Sequence, residues 1–426
     1  MRRIAFLRSI EVQQTDPYLN RLRLLARDRG LTFKLLFTDG ECGPEDFPGE
    51  AEKLAADVSP AEIVERLRHW GADGVVSLSI PDENSVRDAV VRESLAEYGI
   101  PMVMHGLDAT TVLANKWETK QAVRRHGLAT PEGLYLDGDL LNQRNVKVPA
   151  YHDHVRRQAH RLGFPLLSKP LWDCLGTGIR FLPDDRALDA YLDAPYDGNT
   201  VLEKCLPGEL CSVEIVGTAG DYVAQPLIWK GPTGGAPSFA FSQVRYAAPR
   251  PLQDEQFRPV LDRLLDLCAG LELHGAVEVE MIHDGESYQV IEINPRVSGS
   301  TTLSIAASGD NTYAGLVELL LGEWAGTARS FGARRRLAYQ VPTRPLDPEL
   351  LAELGRRLDL VRASSFHIDG HTYANMVLTC AFDGAAALAD ELGALTGQYR
   401  LLTPAVLAET RQLLAPASSA LAAVSG

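Results

Sequence analysis

A chain of 426 residues, 45% hydrophobic and 23% charged, has the apolar content of two or three ordinary globular domains, and none of its apolar runs approaches the roughly 18 residues that cross a bilayer. A net charge of −14 argues against a nucleic-acid partner, because affinity for a phosphate backbone is built from clustered Lys and Arg; neither nucleic acid nor membrane is expected as a partner. The opening MRRIAFLRSIEVQQTD is interrupted by Arg8 and Glu11, too early for a secretory signal, and the six cysteines lack CxxC spacing, so a cytoplasmic chain with reduced thiols and no zinc site is expected.

The first third alternates strand and helix. RIAFLRS reads as a buried strand, DPYLNRLRLLARDRG as an amphipathic helix stopped at Gly30, and LTFKLLFTD as a second strand. Residues 60–70 form another helix, ADGVVSLSI a third strand, and NSVRDAVVRESLAEYG a helix ending at Gly99. This pattern predicts an open, Rossmann-like α/β layer over residues 1–112. SIEVQQTD stands where a GxGxxG turn would follow the first strand, so dinucleotide binding there is not expected.

From residue 113 the pattern changes. ANKWETKQAVRRHGLATPEG reads as a helix and a Pro turn, and strands then dominate: FPLLSKPL, TGIRFL, TVLEKCL, CSVEIVG, YVAQPLIW, AVEVEMIH and SYQVIEINP. A mixed, mainly antiparallel sheet region with helices follows over 113–330. The tail, 331–426, carries HTYANMVLTCAF and Ala/Leu-rich helices and reads as a small α+β domain whose last dozen residues fray. The basic run Arg334–Arg336 reads as a solvated stretch, and the histidines at 152, 154 and 160 as surface residues rather than metal ligands. No internal repeat of substantial length is present.

Residues 275–300, GAVEVEMIHDGESYQVIEINPRVSGS, carry the chemistry. HDGES supplies an Asp-Gly hairpin turn, so the flanking strands run antiparallel and Glu280 can face Glu292 across the ladder. Residues of equal parity share a strand face, which groups Glu292 with Asn294 and Glu278 with Glu280. Opposed carboxylates repel, and a cation would remove the conflict. Oxygen donors from Glu280, Glu292 and Asn294 suit Mg²⁺. A hairpin with solvated acids is the competing reading, and the position of Glu292 inside the apolar run YQVIEINP argues against it.

The scarce lysines fit a nucleotide beside such an ion. Only eight lysines stand against 34 arginines, and four of them fall at 116, 169, 204 and 230. Lys169 follows FPLL and precedes the glycine-bearing turn PLWDCLGTG, whose amides could fold over phosphates. Lys116 stands at a helix start, and Glu203–Leu206 (EKCL) ends a strand and enters PGE, a segment able to offer backbone groups to an adenine edge. WKGPTGGAPSFAFSQVRY, 229–246, reads as a long Gly/Pro connection and a mobile lid, with Lys230 and Arg245 available to an α-carboxylate.

In their order, these elements resemble the ATP-grasp superfamily over about residues 110–310. The resemblance implies ATP and Mg²⁺ as cofactors, with Mn²⁺ as an alternative ion. It places phosphate contacts on Lys116 and Lys169, the adenine hinge on Glu203, Lys204, Cys205 and Leu206, and the ribose hydroxyls on Glu209. It also places the metal on Glu280, Glu292 and Asn294, and the charge steadying the transferred phosphoryl on Arg296, with Lys169 as its catalytic companion. NPRVSGSTT and the short third domain look most like the carboxylate–amine ligases that join amino acids through an acyl phosphate, releasing ADP and phosphate. The implied partners are a small-molecule carboxylate and an amine, and a homodimer stays open. A non-catalytic ATP-binding scaffold and a bicarbonate-activating, carboxylase-like enzyme are the alternatives.

Overall fold

The computed structural model describes residues 2–9, 17–144, 147–172, 176, 178–236, 242–368 and 370–422. Three sheets organise them. The first is parallel, with strands β1 (Arg3–Arg8), β2 (Thr32–Phe37), β3 (Glu50–Lys53), β4 (Gly74–Ser77) and β5 (Met102–Val103) in the order β3-β2-β1-β4-β5. Helices Pro60–Trp70 and Asp82–Ala96 connect its strands, as the alternation predicts. Ser59 caps the former by accepting the Glu62 amide, with Pro60 in the first helical position, where its missing N–H costs nothing. The segment SIEVQQTD lies mostly outside the described residues.

The second sheet is antiparallel and small: β6 (Gly133–Leu136), β7 (Leu166–Pro170), β8 (Arg180–Leu182) and β9 (Thr200–Lys204), ordered β6-β9-β7-β8. The third has nine strands. β10 (Gly208–Thr218), β11 (Asp221–Ala224), β12 (Ile228–Thr233), β13 (Arg245–Ala247), β14 (Gly275–His283) and β15 (Tyr288–Asn294) are followed by β16 (Leu337–Thr343), β17 (Leu360–Ile368) and β18 (His371–Cys380). Its order is β15-β14-β10-β12-β13-β16-β18-β17, with β11 also on β10. YVAQPLIW is therefore two strands, not one. The tail strands pair through β13 and β16, so this sheet runs on across the boundary expected at 330/331.

The nine-stranded sheet has two unlike faces. Cys211, Val213, Ile215, Val277, Val279, Met281 and Ile293 are buried on one, against Phe257, Leu264 and Leu267 of the helix Pro251–Gly270. The other face is split. At one end Val216, Ile228 and Ala276 pack with helices Thr301–Ser308 and Thr312–Leu321 and with Ile4, Phe6 and Val76 of the parallel sheet. At the other end stand Ser212, Glu278, Glu280, Glu292 and Asn294, the alternate positions of β10, β14 and β15. A sheet that buries polar residues over half a face needs partners for them, and those partners define the site.

Several expectations meet different surroundings. Arg334, Arg335 and Arg336 are not idle in solvent: they pair with Asp254, Asp310 and Asp359. The helix Pro404–Ala422 runs through most of the stretch expected to fray. Among the described cysteines all are free thiols, and Cys174 lies outside the described residues. No described helix is long and apolar enough to cross a membrane.

Candidate active site

The hairpin of β14 and β15 has the register that parity and the Asp-Gly turn predict. Asp284 closes the turn by accepting the amides of Glu286 and Ser287. Glu280 stands opposite Glu292, and Glu278 opposite Asn294, so all four side chains share one face. A register shift just after Glu280 bulges β15 and ends the regular alternation toward the turn.

The carboxylates do not confront each other unpaired. Lys116 Nζ donates to Glu292 Oε1 at 2.9 Å, and Lys230 Nζ donates to Glu280 at 2.6 Å and to Glu278 at 2.9 Å. The expectation of bare like-charge repulsion is thus corrected: each opposed carboxylate holds a lysine ammonium. Lys116 is presented by Asn115, whose side chain caps the helix Lys116–Arg125 by accepting the Trp117 and Glu118 amides.

One helical turn further on, Lys120 shares the face of Lys116, as i,i+4 spacing requires. Its Nζ is 2.9 Å from Glu203 of β9, and Lys169 of β7 lies 2.6 Å from the same carboxylate. All three groups are buried. Burial alone would raise the Glu203 carboxyl, yet Lys169 and Lys120 hold it far below the ordinary range. Burial opposes the Lys169 charge, but Glu203, reinforced by Glu292 and Glu280, keeps that lysine above its ordinary value. For Lys120, burial wins and the value falls. The fields of Glu280 and Glu292 thus reach Lys169, so the small sheet and the large one contribute to one electrostatic cluster.

Arg296, two residues beyond β15, donates through Nε to Asp82 at 2.8 Å and through a terminal nitrogen to Asn294 Oδ1 at 3.0 Å. Asp82 opens the helix Asp82–Ala96, so this arginine ties the cluster to the parallel sheet's layer.

The residues expected to form an adenine hinge are placed as follows. The Lys204 and Cys205 amides donate to Glu132 and Pro165 carbonyls, and the Leu206 carbonyl accepts from Thr233. Glu203 turns its side chain to the lysines, Lys204 is exposed, and Cys205 is buried with its thiol pushed up by burial. Glu209 does not join the cluster. It shares parity with Cys211 and Val213, which puts it on the opposite face of the sheet, where it accepts from Arg250 at 2.6 Å and Tyr246 at 3.1 Å. Glu209 and the lysine–glutamate cluster therefore lie on opposite faces of the sheet.

The lid expectation is also corrected in part. Lys230 and Arg245 sit on β12 and β13 and are buried, while residues 237–241 of the intervening segment and residues 173–175 and 177 of the turn after Lys169 lie outside the described residues. Burial pulls the Arg245 guanidinium down, with Glu280 and Glu278 acting against it. Sequence reasoning missed Lys120 and the inward direction of Lys230. The first had a signal in the spacing of ANKWETK; the second depends on a bulge between β10 and β12.

The donor set fits a hard divalent cation: two glutamates and an amide oxygen on one face, with Glu280 and Glu292 still partly exposed and each already holding a positive charge. Among the described residues, no group of three or more His, Cys, Asp or Glu side chains is arranged to hold a metal, so Asn294 would be the third protein donor.

Residues 113–300 match the family described as ATP-grasp domain. Over 228 residues, 47% of this chain, the sequence is 23% identical to the carbamoyl phosphate synthase large chain of Bifidobacterium longum (strain DJO10A), spanning only 19% of that protein. The fold is similar to the crystal structure of L-amino acid ligase from Bacillus licheniformis, with TM-score 0.66 and 16% identity over 92% of this chain and 97% of that one. It is also similar to N5-carboxyaminoimidazole ribonucleotide synthetase from Thermus thermophilus, with TM-score 0.67 and 19% identity over 93% and 98%. At these identities the structural likeness speaks to fold.

Proposed function

We propose that the protein, whose residues 113–300 match the ATP-grasp domain family, is an ATP-dependent carboxylate–amine ligase that forms an amide or peptide bond between amino-acid-type substrates. The observation that carries this reading is the single cluster of Lys116, Lys120, Lys169, Lys230, Glu280, Glu292, Asn294 and Arg296 between two sheets. Such a site neutralises and positions phosphate, which is most of what phosphoryl transfer asks of a protein.

In this reading, Lys169 and Lys116 hold phosphate oxygens of ATP. Glu203 keeps Lys169 charged and aimed, and the strand end Lys204–Leu206 meets the adenine edge with the Leu206 amide, which donates to no described residue. Glu280, Glu292 and Asn294 would hold Mg²⁺, which would supply charge neutralisation at the phosphates. Arg296 steadies the transferred phosphoryl, and its bond to Asp82 orients it. A carboxylate oxygen attacks the γ-phosphorus as the bond to the ADP oxygen breaks. The amine then attacks the acyl carbon, phosphate leaves, and the amine gives up a proton. No side-chain nucleophile takes part.

The test is a coupled ADP-release screen with amino acids in pairs, MgATP and product mass detection, with bicarbonate as a separate arm. ADP and phosphate formed only with a carboxylate and an amine are expected. AMP and pyrophosphate would overturn the acyl-phosphate route, and stimulation by bicarbonate alone would move the chain to the carboxylase-like alternative.

A further inference from the structure

Lys230 is buried among the cluster's carboxylates and bridges two of them on one strand. It lies at a register shift where Leu210 pairs with Gly231 and Cys211 with Trp229, leaving Lys230 as the extra residue of β12. Gly231 takes a φ of +101°, a backbone conformation that L side chains rarely adopt, so the bulge favours glycine next to the lysine. The result is an ammonium with 4% exposure, donating to Glu278 at 2.9 Å and Glu280 at 2.6 Å. Glu278 is itself buried, while Glu280 keeps 22% of its side chain exposed toward the cluster.

We propose that Lys230 is a built-in counter-ion of the metal site: its ammonium holds the Glu278–Glu280 carboxylates together when no divalent ion is bound, and a divalent ion must displace it from Glu280 to bind. The inference rests on the functional reading above, since Glu280 is a ligand only there. A buried carboxylate beside a partly exposed one on the same strand face is costly without a positive charge, so the lysine lets the ligand-free protein fold with its metal donors already aligned. The same attraction competes with the incoming ion. On exchange no bond is broken covalently and no proton moves: the ammonium leaves Glu280, stays on Glu278, and the ion takes the vacated oxygen. Glu278 acts as the mooring that keeps the displaced lysine in place.

The competition is read directly by Mn²⁺ binding, measured by electron paramagnetic resonance of free Mn²⁺ on the full chain, with and without ADP. Lys230→Met should bind Mn²⁺ about tenfold more tightly than the wild type, and its melting temperature without metal should fall. Because that variant leaves the buried Glu278 unpaired beside the partly exposed Glu280, Glu278→Gln/Lys230→Met is the partner measurement: it removes both members of the inner pair, leaves Glu280 free, and should show the same tightening. Glu278→Gln alone should weaken Mn²⁺ binding, since Lys230 then rests on Glu280 only. Equal or weaker Mn²⁺ binding by the Lys230→Met variants would overturn the counter-ion role while leaving the ligase reading intact. Failure of Mn²⁺ to bind any form, even with ADP, would overturn the metal assignment and this inference together.

Discussion

Replacing Glu203 with Gln should damage this protein more than any other single change of one carboxylate. Glu203 lies with 3% exposure between Lys169 at 2.6 Å and Lys120 at 2.9 Å, themselves 7% and 4% exposed. The amide keeps the shape and one hydrogen bond but leaves two neighbouring ammonium groups without a counter-charge. Breaking a buried pair by removing one partner costs about 3–5 kcal/mol, which in a chain of this size is a fall of roughly 3–6 °C in Tm. The loss should depend on pH with a definite sign. The folded Glu203 carboxyl is held at about 2 against an ordinary 4.5, so its stabilisation is present above 4.5 and is lost as pH falls from there toward 2. Wild type and variant should therefore differ most near neutrality and converge in acid. Inorganic pyrophosphate should raise the Tm of the variant more than that of the wild type, because it supplies the missing negative charge. Scanning fluorimetry across pH, with and without pyrophosphate, is the assay. An unchanged Tm at pH 7 would refute the view that Glu203 is the keystone of the lysine pair.

Glu292→Gln should lower ADP release by at least about 100-fold, roughly 2.7 kcal/mol of barrier, in a steady-state assay. Its apo stability should change by less than about 1 kcal/mol, because relief of repulsion with Glu280 offsets the lost pairing with Lys116. Lys169→Ala and Lys116→Ala should each raise the ATP requirement or abolish turnover with circular dichroism unchanged; near-normal kinetics in both would move the nucleotide elsewhere. His105 is buried, donates through Nε2 to the Ala276 carbonyl and accepts the His274 amide on Nδ1, and burial depresses its pKa to about 4. A buried neutral histidine costs stability as pH falls from 6.5 toward 4, so His105→Gln should flatten the slope of urea-unfolding stability in that window.

The parallel sheet and the acidic hairpin of β14 and β15 are legible in the chain because both rest on local signals. Strand–helix alternation with glycine stops marks the first, and period-two patterning around an Asp-Gly turn fixes which side chains face one another in the second. What depends on distant partners is not legible. The pairing of β13 with β16 joins residues about 90 apart, and nothing local in either announces it. Lys230 reads as part of a solvated loop because glycine and proline follow it, whereas the bulge that turns it inward exists only against β10. Glu209 is a different case: the sequence reads it as part of the PGE segment beyond a strand end, whereas it lies inside β10 on the face of Cys211, Val213 and Ile215.

The narrowness of β13 bears on how the protein can be taken apart. Three residues, joined to β12 by the single pair Trp229–Tyr246, carry the whole connection to β16, β18 and β17. A fragment cut to residues 113–300 would keep every proposed ligand of ATP, yet it would leave the far side of β13 as an open edge. Buried Tyr339 and Val341 would be gone from beside it, and the backbone donors and acceptors there would face water or a neighbouring chain. Such a piece is a poor choice for expression and for crystallisation, because self-association along that edge competes with folding; useful truncations must keep β16–β18 or supply a substitute strand.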